Sequence, residues 1–364
     1  MHCPLCNHTQ THCLYQHHNM AYSTHLMQEH INLSVAMCPE CNFVFQESAY
    51  TKAYDIMSEK LYANYDIYNV YGFPNRNIHH DKALLFVSDV VKDSIDYKVL
   101  EIGSNRGDFS YLLKEKFPKI NIIGCEPSAF DEMPITTLNS FYHPKLFNTK
   151  FDLIILRHTL EHIKNPKEFV LGLQEALAPS GHIFIEVPHL TNSLKNGIED
   201  FTPDHVNFFT PQTLSQTFSN FGITKIDEEG YLYMLFSPLK AHLLLQEEAN
   251  ITTLFEQFQS NITAYENALQ NYKRIVFYGV GNFYMWTYQR LQEKLHNKAL
   301  FYKDDNVKHD TLFNLDKLTD FEQGDLVILC SSNLTTQEKM KQTLPPFVDV
   351  LHPWKKITKG TPCV

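Results

Sequence analysis

Lys98-Val-Leu-Glu-Ile-Gly-Ser-Asn-Arg-Gly-Asp-Phe109 is the stretch on which the fold turns. A short apolar run (Val99, Leu100, Ile102) breaks into a loop with two glycines, then into a helical segment holding Tyr111, Leu112 and Leu113. Strand, glycine turn and helix in that order open an α/β sheet. Gly103 and Gly107 carry no Cβ, so the backbone can pass close to a ligand, and a side chain at Gly103 is expected to fill that ligand's space. A second apolar run, Asn121-Ile-Ile-Gly-Cys125, ends at Glu126. A carboxylate at the tip of the second strand is placed to accept both hydroxyls of a ribose. The dinucleotide form of such a loop is Gly-x-Gly-x-x-Gly, which brings the backbone up to a pyrophosphate. Here the pattern is Glu-x-Gly-x-x-x-Gly, which suits a ligand with an amino-acid tail and no phosphates.

Around this core lie 364 residues, 43% hydrophobic and 20% charged, the balance of an ordinary globular chain. At roughly 150 residues per domain the length predicts two or three domains. The formal net charge of -10 disfavours a nucleic-acid partner, whose phosphates attract the opposite sign. The polar Met1-His2-Cys3-Pro4 start does not read as a signal peptide. No apolar run reaches the ~18 residues of a membrane span. The expectation is a cytoplasmic protein with no membrane partner, its cysteines reduced or metal-bound.

Two cysteine pairs, Cys3-Pro-Leu-Cys6 and Cys38-Pro-Glu-Cys41, stand near the N-terminus. Two thiolates two residues apart can curl round one ion from a single tight turn, and two such turns supply the four soft ligands of tetrahedral zinc. The expected ion is structural, because four thiolates leave no open position for water. Cys13 and His2, His8, His12, His17, His18, His25 and His30 are possible substitute ligands, and a redox role for the pairs is the alternative.

Residues 51–95 read as helical and tyrosine-rich. Leu84, Leu85, Val87 and Val90 fall at helical spacing, as do Ile251, Leu254, Phe255, Phe258, Ile262, Tyr265, Leu269 and Tyr272 in a connecting helix that marks a domain boundary. Beyond it, Arg274-Ile-Val-Phe-Tyr-Gly-Val-Gly281 starts a second strand–turn–helix unit. Tyr284 at the third-glycine position argues against a dinucleotide there. His158 and His162, four apart, are expected on a helix face or its entry.

The loop Glu101–Gly107 with Glu126 resembles the class I S-adenosylmethionine-dependent methyltransferases. Phe151-Asp-Leu-Ile-Ile-Leu-Arg-His-Thr-Leu-Glu-His162 resembles their fourth-strand motif, and Pro179-Ser-Gly181 the turn into their fifth strand. More narrowly, the whole chain is similar to the sugar C-methyltransferases of deoxysugar pathways. Their Glu-His-x-x-Tyr/Phe-Phe segment matches Asp204-His-Val-Asn-Phe-Phe209, with Asp204 where the family usually has Glu. Phe201-Thr-Pro203 lacks the Tyr-His pair expected of that family.

The resemblance implies an α/β protein in which a Rossmann-like methyltransferase domain is flanked by a small zinc domain and a C-terminal Rossmann-like domain. The expected limits are 1–50 for the zinc domain, 51–238 for the methyltransferase domain, 239–273 for the connecting helix and 274–364 for the C-terminal domain. It implies S-adenosylmethionine contacts from Glu101, Gly103, Ser104, Asn105, Gly107, Glu126, Arg157 and His158. Tyr65, Tyr68 and Asn207 would touch substrate, and Cys3, Cys6, Cys38 and Cys41 would hold structural zinc. The substrate implied is a nucleotide-linked sugar or related carbohydrate intermediate, methylated on carbon or oxygen. His205 is the expected general base, since a histidine titrates near neutrality, with Asp204 stabilising the imidazolium. A cap for the helix near Pro211, or a fastening of the loop to the core, is the structural alternative for His205. An RNA or protein methyltransferase, or a scaffold that binds the cofactor without catalysis, are the other readings. The oligomeric state is not legible.

Overall fold

Alternation explains the central sheet. Val99, Leu153, Ile155, Phe184, Tyr233 and Leu235 pack with residues of the helices Ile78–Val87 and Asp108–Lys116 in one apolar cluster. Their neighbours Leu100, Ile102, Ile154, Leu156, Ile183, Ile185, Met234 and Phe236 pack in another, with Val170 and Leu173 of the helix Pro166–Ala176. A sheet buried on both faces requires near-continuous apolar strands, which is what the sequence supplies.

A computed structural model of the chain describes residues 1–24, 27–63, 77–128, 133–197, 201–238, 243–246, 249–304, 309, 312–315, 317–331 and 334–352. The chain divides into two compact units, Met1–Asn192 with Asp200–Glu248, and Ser193–Glu199 with Ala249–Val364. In the first, seven strands run in the order Gly222–Asp227, Leu232–Ser237, Leu177–Val187, Phe151–Arg157, Lys98–Ile102, Asn121–Cys125, Thr137–Leu138. The last five are parallel to one another; Leu232–Ser237 is antiparallel to both of its neighbours. Strand order reverses between Lys98–Ile102 and Phe151–Arg157, and ligands of open α/β sheets bind beyond the carboxyl ends of such a pair.

The same unit holds a second sheet. His12–Thr24, Met27–Met37 and Val44–Gln46 form an antiparallel meander, and Asn207–Phe208 joins as its fourth strand by pairing with Val44 and Phe45. A segment that follows the fifth strand of the central sheet is thus tied to the cysteine-bearing N-terminal region. Phe43 and Phe45 share the apolar cluster that includes Leu100, Ile102 and Phe209.

The second unit is a parallel sheet in the order Phe313–Asn314, Ala299–Lys303, Arg274–Tyr278, Asp325–Leu329, Asp349–Leu351. Its first helix, Ile251–Leu269, buries Ile251, Phe255, Phe258, Ile262, Tyr265 and Leu269 at spacings of four and three, and Asn250 caps it by accepting from Thr253 N at 3.0 Å.

Two local expectations are corrected. The turn Pro179–Gly181 lies within the strand Leu177–Val187 instead of ahead of it. Pairing jumps from Phe151–Leu177 to Leu153–His182, so that exposed Pro179 and Ser180 bulge out. His158 and His162 do not lie on one helix face. His158 has φ 46°, in the left-handed region, and only the short turn Leu160–His162 follows.

Candidate functional site

Where the strand Lys98–Ile102 ends, the chain must turn sharply, and Gly103 does so at φ 70°, donating its N–H to Cys125 O at 2.8 Å. Asn105 (φ 48°) and Gly107 (φ 79°) complete the turn, with Gly107 at the N-cap of the helix Asp108–Lys116. Glu126 begins just past the second strand. Its two carboxylate oxygens accept from Asn105 N at 2.9 Å and Ser128 N at 3.0 Å. Burial raises its pKa, and those two amides oppose the rise.

Gly103, Asn105, Cys125, Glu126, His158 and Thr159 line a cavity of about 280 Å³, to which Phe141, Tyr142, His162 and Asp204 also contribute. That size lies near the lower end of small-molecule sites, which run from ~300 Å³ upward. A Cβ at Gly103 would fall 2.4 Å from Thr159 Oγ1, and φ there is +70°. A side chain at Gly103 therefore collides with the protein and strains the turn, where the expectation was intrusion on the ligand.

The opposite wall is rich in ionisable groups. His158 lies 3.3 Å from Glu161 through Nδ1 and 3.4 Å from Glu186 through Nε2. Burial pulls its pKa down, but the two carboxylates outweigh this and raise it to about 9. Burial pushes Glu186 up, yet Arg157 and His158 hold it at about 2. Asp204 is depressed against the effect of burial by His205 and His162. His162 Nδ1 sits 2.8 Å from the Asp204 carbonyl, and its ring packs edge-on to His205 with centroids 5.0 Å apart. The loop bearing Asp204 and His205 is fixed by its backbone. Gln46 N donates to Val206 O at 2.8 Å, and Val206 N donates to Glu161 O at 2.7 Å.

The cysteines converge. Sγ of Cys3 is 3.6 Å from that of Cys41, Sγ of Cys6 is 3.5 Å from that of Cys38, and all four lie within 4.8 Å of one another. A tetrahedron with bonds of ~2.3 Å has edges near 3.8 Å, so the set fits zinc. The two turns repeat one pattern. Asn7 N donates to Cys3 O and Asn42 N to Cys38 O, both at 2.9 Å, and both asparagines have positive φ. Cys13 is exposed and outside the cluster.

The cavity thus brings together Gly103, Asn105, Glu126, His158 and Asp204. Of the other expected site residues, Glu101, Ser104, Gly107, Arg157, His205 and Asn207 do not line it. Glu101 is buried against the Ser110 hydroxyl, and burial raises it to about 7. Ser104 is buried, its Oγ without a hydrogen-bond partner among the described residues. Arg157 bonds Glu186 at 2.5 Å and stacks 4.4 Å from the Phe109 centroid. The Asn207 amide is committed to the carbonyls of Leu160 (3.1 Å) and Ile163 (2.7 Å). Tyr65 and Tyr68 lie outside the described residues. The sequence reading missed Thr159, Phe141, Tyr142, Glu161 and Glu186. The aromatic pair after the third strand was the one available signal.

Residues 73–228 match the family described as methyltransferase domain. The C-methyltransferase NovU of Streptomyces niveus is 26% identical over 141 residues, 35% of this chain and 33% of NovU. The tRNA U34 carboxymethyltransferase of Campylobacter fetus subsp. fetus is 27% identical over 108 residues, 26% of this chain and 37% of that protein. The chain spans about a third of the length of these curated relatives. Among solved structures, a SAM-dependent methyltransferase and possible histamine N-methyltransferase from Thermotoga maritima has 16% identity over 44% of this chain and 89% of its own, with a TM-score of 0.34. The plantazolicin methyltransferase BpumL in complex with SAH has 13% identity over 52% and 93%, with a TM-score of 0.36. The family match makes residues 73–228 a methyltransferase domain, whose sheet ends in a glycine turn and a buried glutamate.

Proposed function

We propose that the chain transfers a methyl group from S-adenosylmethionine to a nucleotide-linked sugar or related carbohydrate intermediate. One observation carries this reading: the cradle of Gly103, Asn105 and Glu126 shares its cavity with His158, His162 and Asp204, and His162 packs against His205. Glu126 is the candidate partner of the donor's ribose and His205 the candidate base, with Asp204 beside it. The similarity to a C-methyltransferase supports transfer to carbon, and the resemblance carried by Asp204–Phe209 supports a sugar acceptor. Tyr65 and Tyr68 as sugar contacts rest on the sequence resemblance alone. We read residues 1–50 as a zinc module, 51–238 as the methyltransferase domain, 239–273 as a connector and 274–364 as a second α/β domain.

For a carbon acceptor, His205 removes the proton beside a ketone and the enolate carbon attacks the sulfonium methyl. For an oxygen acceptor, it removes a hydroxyl proton. Holding donor and acceptor in line supplies much of the acceleration. Zinc on Cys3, Cys6, Cys38 and Cys41 would supply cross-linking and no chemistry at the acceptor.

Glu126→Ala should weaken S-adenosylmethionine binding about tenfold or more, because hydrogen bonds to a charged acceptor are worth roughly 1.5–3 kcal/mol. Calorimetry with unchanged affinity in the folded variant would remove Glu126 from the donor site. The acceptor class is tested by melting temperature in the presence of S-adenosylhomocysteine. A nucleotide-linked sugar should raise it while RNA and free peptides do not. A shift with RNA alone would overturn the sugar reading.

A further inference from the structure

Glu161 is buried, yet its carboxylate faces three histidines. Oε1 lies 3.3 Å from His158 Nδ1, and a carboxylate oxygen, a His162 ring nitrogen and a His205 ring nitrogen all lie within 4.8 Å of one another. Oε2 has no hydrogen-bond partner among the described residues. A buried carboxylate oxygen left so is costly unless charge nearby compensates it.

The charges around it can be counted. Arg157, His158 and Glu186 face the cluster from two strands and their ends, His162 from the turn of Glu161 itself, Asp204 and His205 from the loop. Glu161 and Asp204 are held below the usual carboxylate range despite burial, by His158 and by His205 first respectively. Glu161, Glu186 and Asp204 are then anionic at neutral pH, against cationic Arg157 and His158. Among these groups one negative charge is in surplus.

We propose that Glu161 is the positioning carboxylate of His205: it holds the ring in one tautomer and faces the imidazolium formed when His205 takes the acceptor's proton. The proposal rests on the methyl-transfer reading above. The charges balance. The acceptor's C–H or O–H pair forms the new bond to the methyl carbon, the old S–C pair stays on sulfur, and the cation lost at sulfur reappears on His205. Two imidazoles and a carboxylate are also a ligand set for a divalent cation. Such an ion would turn the surplus negative charge into a surplus positive one in the cavity that receives a sulfonium.

The test is nitrogen NMR of the full chain labelled with ¹⁵N-histidine and bound to S-adenosylhomocysteine. It needs no acceptor, so it stands apart from the sugar assignment. His205 in the wild type should show two well-separated ring nitrogens, the mark of a single tautomer. In Glu161→Gln they should move toward averaged values, and in Glu161→Asp part of the way, with S-adenosylhomocysteine affinity within about twofold of wild type. Should Glu161→Gln fail to fold, Glu161→Asp carries the comparison. Unchanged His205 signals in either folded variant would overturn the proposal. So would one equivalent of Mn²⁺ bound by the wild type and lost in Glu161→Gln, since Glu161 would then be a ligand.

Discussion

His205→Asn should cut methyl transfer by the ~10²–10⁴ typical of a lost general base, while leaving S-adenosylmethionine affinity and melting temperature close to wild type. The loop has ties that do not involve this ring. The helix Pro211–Thr217 is capped by Thr210, whose hydroxyl accepts from Thr213 N at 3.2 Å, so His205 is not its cap. The loop is held by backbone bonds from Gln46 and to Glu161, and by Asn207 and Phe208 paired with Val44 and Phe45. The ring meets His162, lies with a nitrogen within 4.8 Å of a Glu161 carboxylate oxygen, and at longer range meets Phe208 with centroids 6.4 Å apart. Asn keeps polarity and approximate size but accepts no proton at neutral pH. Single-turnover rates alongside a melting curve separate the outcomes. A stable variant with near wild-type turnover would move the base away from His205, with Tyr65 and Tyr68 the remaining candidates because His158 is already protonated.

Cys41→Ser should lose zinc and stability together, and activity with them. Purified wild type should carry about one zinc per chain, by the one-ion, four-ligand logic of structural sites. Structural zinc in small modules contributes about 10–16 kcal/mol of apparent binding energy, so losing one thiolate should remove several kcal/mol, or about 10 °C in melting temperature. The effect should reach the base. One residue past Cys41 begins the segment Phe43–Gln46, whose Val44 and Phe45 pair with Phe208 and Asn207 and whose Gln46 N donates to Val206 O. Loosening the cysteine turns therefore loosens the loop that carries Asp204 and His205. Elemental analysis, melting curves and turnover would be measured on one preparation. Metal-free protein that melts and turns over like the wild type would contradict the assignment.

The parts legible in the sequence are those encoded within one turn. Gly103, Gly107 and Glu126 announce themselves because strand, glycine turn, helix and acidic strand tip occur in order along the chain. The two cysteine pairs are local in the same sense, and the structure repeats their hydrogen bonds turn for turn. The histidine–carboxylate wall was hidden because parallel pairing makes it, bringing Glu186 beside Arg157 although they stand 29 positions apart in the chain. The left-handed His158 was hidden too, since periodicity reads four-residue spacing as helix and is blind to a single positive φ. Nothing near Asn207 marks it as a strand of the N-terminal sheet, because its partners Val44 and Phe45 are remote in sequence.

Transfer of a labelled methyl group from S-adenosylmethionine to a nucleotide-linked keto- or hydroxy-sugar tests the central claim most directly. The expected result is label in the sugar, one S-adenosylhomocysteine released per methyl, and loss of both in His205→Asn. Protein that binds S-adenosylmethionine through Glu126 yet labels no sugar, and labels RNA or peptide instead, would contradict it.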